Sequence, residues 1–232
     1  MFKTIKLKNL IIAISLIVAS ILCSIGIVSV VESKNIPRPK YVIVLDAGHG
    51  GRDDGSIGVT GTKESEINLK IARTLKVYLE TLGIKVILTR SDGNGLYDAN
   101  AQNFKVSDME KRVEIIGKAN PDMVISIHCN AYIDSTQIGA QAFFQEADKT
   151  SEAFAECLQS QLISQIENAR KSHSKGDYYL LKESPCSAVL VECGYLSNPA
   201  EEKLLNSVAY QNKISYAIMC GVVKYFNLCG ND

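Results

Sequence analysis

Two histidines and two glutamates stand where this chain could do chemistry. Val42-Ile43-Val44-Leu45 reads as a buried strand, and it runs into a turn of small residues that carries His49. Gly48, Gly50 and Gly51 let that turn bend tightly and let another group come close. Residues 122–131 repeat the pattern, an apolar strand closing on His128. Residues 187–194 do it a third time and close on Glu192. Glu64 opens a helical stretch soon after the first strand. The chain has only three histidines, so two of them end strands. Open α/β sheets place reactive groups at the carboxyl ends of strands. Two histidines and one glutamate are a ligand set for catalytic zinc, with a fourth position left for water. Spacing alone does not say which glutamate would bind the metal and which would stand off it.

The elements that must position these residues follow from periodicity. Ile67, Ile71, Leu75, Leu79 and Leu82 mark a helix over 64–82, with Gly83 as its stop. A strand over 84–89 completes a β-α-β unit with a right-handed crossover. Ser107 and Glu110 form a capping box that opens a helix ending near Ala119. In the strand 123–128, period two puts Ser126 and His128 on one face. Cys129 then points the other way, which favours a packed thiol over a fourth ligand. Further strands are expected over 139–144, 178–182 and 187–192. Phe154, Leu158, Leu162 and Ile166 mark a helix. Residues 168–176 read as a polar loop in which His173 is solvated. Asn198 and Pro199 start a helix as N-cap and first residue, and a last helix spans 208–226.

Four ordered motifs carry a family resemblance: residues 45–51, Gly61 with Glu64 and Asn68, residues 126–131, and residues 191–198. From about Tyr41 to Phe226 the chain resembles the zinc-dependent N-acetylmuramoyl-L-alanine amidases of the Amidase_3 type. The resemblance implies a zinc ion held by His49, Glu64 and His128, and Glu192 as the catalytic residue that moves the proton. It implies an α/β fold with a mostly parallel, twisted sheet of about six strands flanked by helices. The substrate would be bacterial peptidoglycan, cut at the amide between N-acetylmuramic acid and L-alanine. Arg112 matches an arginine of the family pattern and stays open between a structural and a substrate-binding role. The layout, a catalytic domain without wall-binding repeats, is similar to the small germination-specific amidases of spore cortex. Regulated members often need an activator, so an accessory protein is an expected partner. Two other readings stay open: a membrane-tethered peptidoglycan-binding protein, and a zinc hydrolase of another amide.

Composition bounds the rest. The 232 residues are 46% hydrophobic, which suits one globular α/β domain and an appendage. Formal net charge is zero, with no basic block outside the N-terminus, which argues against nucleic-acid binding. Lys3, Lys6 and Lys8 precede an uncharged run over 10–31, long enough to cross a bilayer as a helix. Residues 1–33 are therefore expected to be a signal-anchor that exports the domain, with a cleaved signal peptide as the competing reading. Residues 34–40 read as a linker and 41–228 as the catalytic domain. Taking residues 1–33 away removes three lysines and one glutamate and leaves 22 basic against 24 acidic side chains, so bulk charge would not hold the domain to a polyanionic wall. Seven cysteines without a CxxC pair do not make a zinc ribbon or a disulfide framework.

Overall fold

The computed structural model describes residues 15–17 and 40–227. The chain divides into two units, residues 1–38 and 39–232. In the first, residues 15–17 are helical and exposed. The expected signal-anchor and the linker otherwise lie outside the described residues. Among the described residues no helix is long and apolar enough to cross a membrane.

The second unit is built on one six-stranded sheet. Its strands are β1 (Val42–Ala47), β2 (Lys85–Leu88), β3 (Met123–Asn130), β4 (Gln141–Phe144), β5 (Ser174–Lys175) and β6 (Ala188–Tyr195), in the spatial order β2-β1-β3-β6-β4-β5. The helices are α1 (Glu64–Thr81), α2 (Phe104–Ala119), α3 (Lys149–Gln165), α4 (Tyr179–Glu183), α5 (Pro199–Leu205) and α6 (Val208–Phe226). β1, β2, β3 and β6 run parallel. β4 runs antiparallel to β6 and carries β5 parallel to itself. The sheet is thus mixed, which corrects the expectation of a mostly parallel one. Parallel neighbours need a long crossover connection. Between β3 and β4 there is only the helix-free loop 131–140, and the chain comes back reversed.

Alternation divides the core between the two faces of the sheet. Ile43, Leu45, Ile125, Ile127, Val189 and Val191 join the larger cluster with α1, α3 and α6. Val44, Val124, Ala188 and Leu190 join a smaller cluster with Ile116 of α2 and Leu180 and Leu181 of α4. Asp46, Ser126, His128 and Glu192 continue this second set by period two, so the polar residues sit on the less thickly covered face. Cys129 and Cys193 fall on the other face and are buried in the larger cluster. Cys129 is accordingly packed, as its strand parity requires.

Two expected elements differ. Residues 178–182 do not make a strand; α4 lies there instead. Leu180 and Leu181 are consecutive and both buried beneath exposed Tyr179 and Lys182, which a helical turn allows and an alternating strand does not. The helix over 104–119 is capped by Asn103, whose Oδ1 accepts from the amides of Lys105 and Val106 at 3.1 and 3.3 Å. Ser107 is inside the helix, where its hydroxyl accepts from the Asp98 amide. The polar loop 168–176 also contains the two residues of β5.

Candidate metal centre and active site

In the order β2-β1-β3-β6-β4 the connection from β1 goes to one side and that from its neighbour β3 to the other, and such a switch point opens a crevice at the carboxyl ends. His49 and His128 flank it. Directly after β1, Gly48 donates its amide to the Ile127 carbonyl at 3.1 Å. A Cβ at Gly48 would lie 2.3 Å from the His128 ring, so only glycine leaves that ring where it is. His49 follows with φ +61°, a left-handed conformation that costs an ordinary residue about 1–2 kcal/mol. Strain of this kind persists where surrounding structure imposes it.

Two arginines impose it here. Arg112, 1% exposed, donates to the carbonyls of Ala47 and His49 at 2.8 and 2.7 Å and pairs with Asp46 and Asp108 at 2.6 Å each. These contacts make Arg112 a clamp on the turn, at the edge of the cavity beside His49 and His128. Arg90 donates to the carbonyls of Ala47, Gly48 and Ser65 at 2.8, 3.0 and 2.8 Å, tying the end of β1 to the first turn of α1. Burial raises the Asp46 carboxyl, but Arg112 and the Ser126 hydroxyl outweigh it and hold the group down at about 2. The turn thus rests on a buried ion pair that stays charged.

Glu64 is the first residue of α1 and is 2% exposed. Its Oε2 lies 3.2 Å from His49 Nε2, and its Oε1 lies 2.9 Å from His128 Nδ1. Further hydrogen bonds fix the carboxylate: the amides of Ser56 and Cys129 donate at 2.8 and 3.1 Å, and Asn68 Nδ2 donates at 3.1 Å. One ligand atom from each of His49, Glu64 and His128 lies within 4.8 Å of the others. Asp53 Oδ2 stands 2.8 Å from His49 Nδ1, on the side of the ring away from Glu64. A carboxylate behind a ligating histidine fixes tautomer and ring orientation.

The titration of the cluster points the same way. Burial lowers His49, but Glu64 and Asp53 more than reverse that and bring it up to about 9. Burial raises Glu64, and the two imidazoles overcome it and hold the carboxyl far below the usual range. A buried carboxylate facing a nitrogen from each of two imidazoles makes a point that favours positive charge, where a divalent cation would sit. The nitrogen and oxygen donors and the carboxylate behind His49 fit a metal ion of the zinc kind.

Glu192 pairs in register with His128 across β3 and β6. It is 6% exposed, and its Oε2 is buried with no hydrogen-bond partner. Burial raises its carboxyl to about 7, with Glu64 adding to the shift and the histidines opposing it. A buried oxygen without a partner beside a candidate metal site has room for one proton to come and go. The Tyr178 phenol, just before α4, faces this carboxyl and draws it back down in part. A cavity of about 250 Å³ opens beside both histidines and is lined by Phe104, Met109, Tyr178, Leu180 and Leu190. His173 is outside the cluster, half-buried against the Phe144 ring at 5.3 Å. Asp53, Arg90 and Tyr178 were not legible as site residues. Asp53 had a weak signal, its place four residues after His49.

Comparison with known proteins accords with this arrangement. The family Amidase_3, N-acetylmuramoyl-L-alanine amidase, matches residues 43–224. The chain belongs to the Amidase_3 family. It is an enzyme of the N-acetylmuramoyl-L-alanine amidase class. Among relatives, the germination-specific N-acetylmuramoyl-L-alanine amidase of Bacillus subtilis (strain 168) is 32% identical over 201 residues, 85% of this chain and 84% of that one. The CwlD amidase of Clostridioides difficile, solved in complex with the GerS lipoprotein, superposes with a TM-score of 0.77 at 38% identity, covering 81% of this chain and 99% of that one. The catalytic domain of CwlV, an amidase from Bacillus (Paenibacillus) polymyxa var. colistinus, gives 0.72 at 28% identity, with 81% and 99% covered. In this Amidase_3 chain the four sequence motifs meet at one point: the turn after β1, the start of α1, and the adjoining ends of β3 and β6.

Proposed function

We propose that this amidase hydrolyses the bond between the lactyl carbonyl of N-acetylmuramic acid and L-alanine of the stem peptide. The observation that carries the reading is the His49–Glu64–His128 donor set beside a buried Glu192 with one unpaired oxygen. His49 would hold zinc through Nε2, His128 through Nδ1 and Glu64 through its carboxylate. Bound there, zinc supplies Lewis-acid polarisation of the amide carbonyl and a water of lowered pKa. Glu192 takes the proton of the attacking water and returns it to the nitrogen of the leaving alanine. Its position near neutrality suits both directions of transfer. Asp53 keeps the His49 ring turned, and Arg112 and Arg90 keep the turn beneath it in its left-handed form.

The setting of the reaction is inferred from relatives. Similarity to a germination-specific amidase supports a role in spore-cortex maturation. The neighbour solved with a lipoprotein supports an accessory partner for this chain also. Residues 1–33 would tether the domain to the outer side of a membrane, through the uncharged run over 10–31. Digesting purified peptidoglycan and weighing the products tests the reaction. Free stem peptides beginning in L-alanine, together with peptide-free glycan, are the expected products. Muropeptides cut in the glycan or within the peptide would overturn the reading, as would an undigested wall bound to protein.

A further inference from the structure

α5 carries two consecutive buried glutamates that the reaction does not use. Glu202 is 1% exposed and no described cation pairs with it. Its carboxylate instead accepts from the Thr60 amide through both oxygens at 3.0 Å, from the Thr60 hydroxyl at 2.7 Å and from the Thr62 amide at 3.4 Å. A buried anion without a counter-ion is costly unless such hydrogen bonds compensate it, so the loop and the carboxylate need each other. The loop is pressed close: a Cβ at Gly58 would fall 2.2 Å from Glu202 Oε1. Asn206, which ends α5, adds a second tie to the Thr62 hydroxyl.

That loop leads directly to Glu64. Residues 57–63 form a miniature hairpin, with Ile57 bridged to Lys63 and Gly58 donating to the Thr62 carbonyl at 2.8 Å. Lys63 is the N-cap of α1 and provides no side-chain cap. The first amides of α1 are satisfied by loop carbonyls instead, Glu64 N by Ser56 O and Ser65 N by Asp54 O, each at 3.0 Å. Ser56 N then returns a hydrogen bond to Glu64 Oε2. Residues 54–56, which lead into the hairpin, therefore act as the missing cap and as a direct contact to the candidate ligand, and the hairpin joins them to Glu64. Glu201, the neighbour of Glu202, faces elsewhere and accepts from the amides of Tyr195 and Gly139 at 2.7 and 2.9 Å. α5 thus grips the end of β6, three residues past Glu192, with one carboxylate and the Glu64 hairpin with the next.

We propose that Glu202 is a positioning residue that sets Glu64 for metal retention, acting through the hairpin 57–63. The inference rests on the reading of His49, Glu64 and His128 as the metal site. Partners that orient a metal ligand typically change affinity by about 10–100-fold when removed. The full-length wild type, Glu202→Ala and Glu202→Gln are compared by chelator competition for zinc, by thermal melting of the metal-free proteins, and by amidase rate against added zinc. Glu202→Ala should bind zinc about tenfold or more weakly while still folded, and excess zinc should restore most of its rate. Glu202→Gln, which keeps one acceptor oxygen, should fall between. A purely structural glutamate would lower the melting temperature and leave zinc affinity unchanged. If wild type holds zinc and both variants match it within about twofold, the inference is overturned while the metal reading stands. If Glu202→Ala does not fold, Glu202→Gln alone decides. A wild type that retains no divalent metal overturns both.

Discussion

At the scale of single residues, the two glutamates of the site are separated by their surroundings. Glu64 is held between two imidazoles and three hydrogen-bond donors, whereas Glu192 has a free buried oxygen. Glu192→Gln should keep its zinc and lose turnover by about 10²–10⁴-fold, the usual contribution of a general acid–base. Glu64→Gln should lose zinc first. Metal content and amidase rate measured on both proteins check this division, and loss of zinc from the Glu192 variant alone would reverse it. Gly48 makes a second case. Its missing side chain leaves the space that the His128 ring fills, so Gly48→Ala should displace His128 and lower zinc occupancy without any ligand being changed. Elemental analysis of the purified variant reads the effect.

At the scale of elements, the turn after β1 depends on a helix far away in sequence. Arg112 reaches from α2 to Asp46 and to the carbonyls that flank the strained His49. Arg112→Met leaves Asp46 and Asp108 buried without their cation and should cost about 3–5 kcal/mol in urea unfolding. The pH dependence has a definite sign. Asp46 titrates at about 2 in the fold, below its ordinary 3.8, so its contribution is fully present above pH 4 and is lost as pH falls toward 2. At the conversion of 1.36 kcal/mol per unit, that contribution is roughly 2 kcal/mol. Urea unfolding from pH 6 to pH 2 should show the loss in wild type and little of it in Arg112→Met. Between α3 and α6, Gly221 packs against Leu158, where a Cβ would lie 2.7 Å from the Leu158 backbone. Gly221→Val should therefore destabilise by about 1–3 kcal/mol through overpacking, with the metal site unaffected.

At the scale of the whole molecule, the candidate site lies in the unit 39–232 and the uncharged run over 10–31 lies in the other. The uncharged run over 10–31 behind three lysines is the basis for expecting a membrane tether. Cell fractionation together with N-terminal sequencing of the mature protein tests it. A membrane-bound protein that keeps residues 1–33 is the expected outcome, and a soluble exported protein beginning near residue 33 would replace anchor with cleaved signal.

The sequence by itself determined most of what positions the site. Strand ends marked by His49, His128 and Glu192, and a helix beginning at Glu64, are local patterns, and local patterns survive in a linear text. The 208–226 helix and its Asn198-capped neighbour were legible for the same reason. Short apolar runs were not: residues 178–182 suit a strand or a helical turn, and only the need to bury Leu180 and Leu181 together on one face selects the turn. The reversal of β4 had one signal, a short connection without a helix, but which strand β4 would pair with depends on where that loop returns in space. Tertiary structure alone decided the partners of the site. Arg112 lies 63 residues from the His49 carbonyl it holds, and Glu202 lies 142 from the Thr60 amide. Such contacts arise from the packing of helices against a sheet, and no spacing along the chain encodes them.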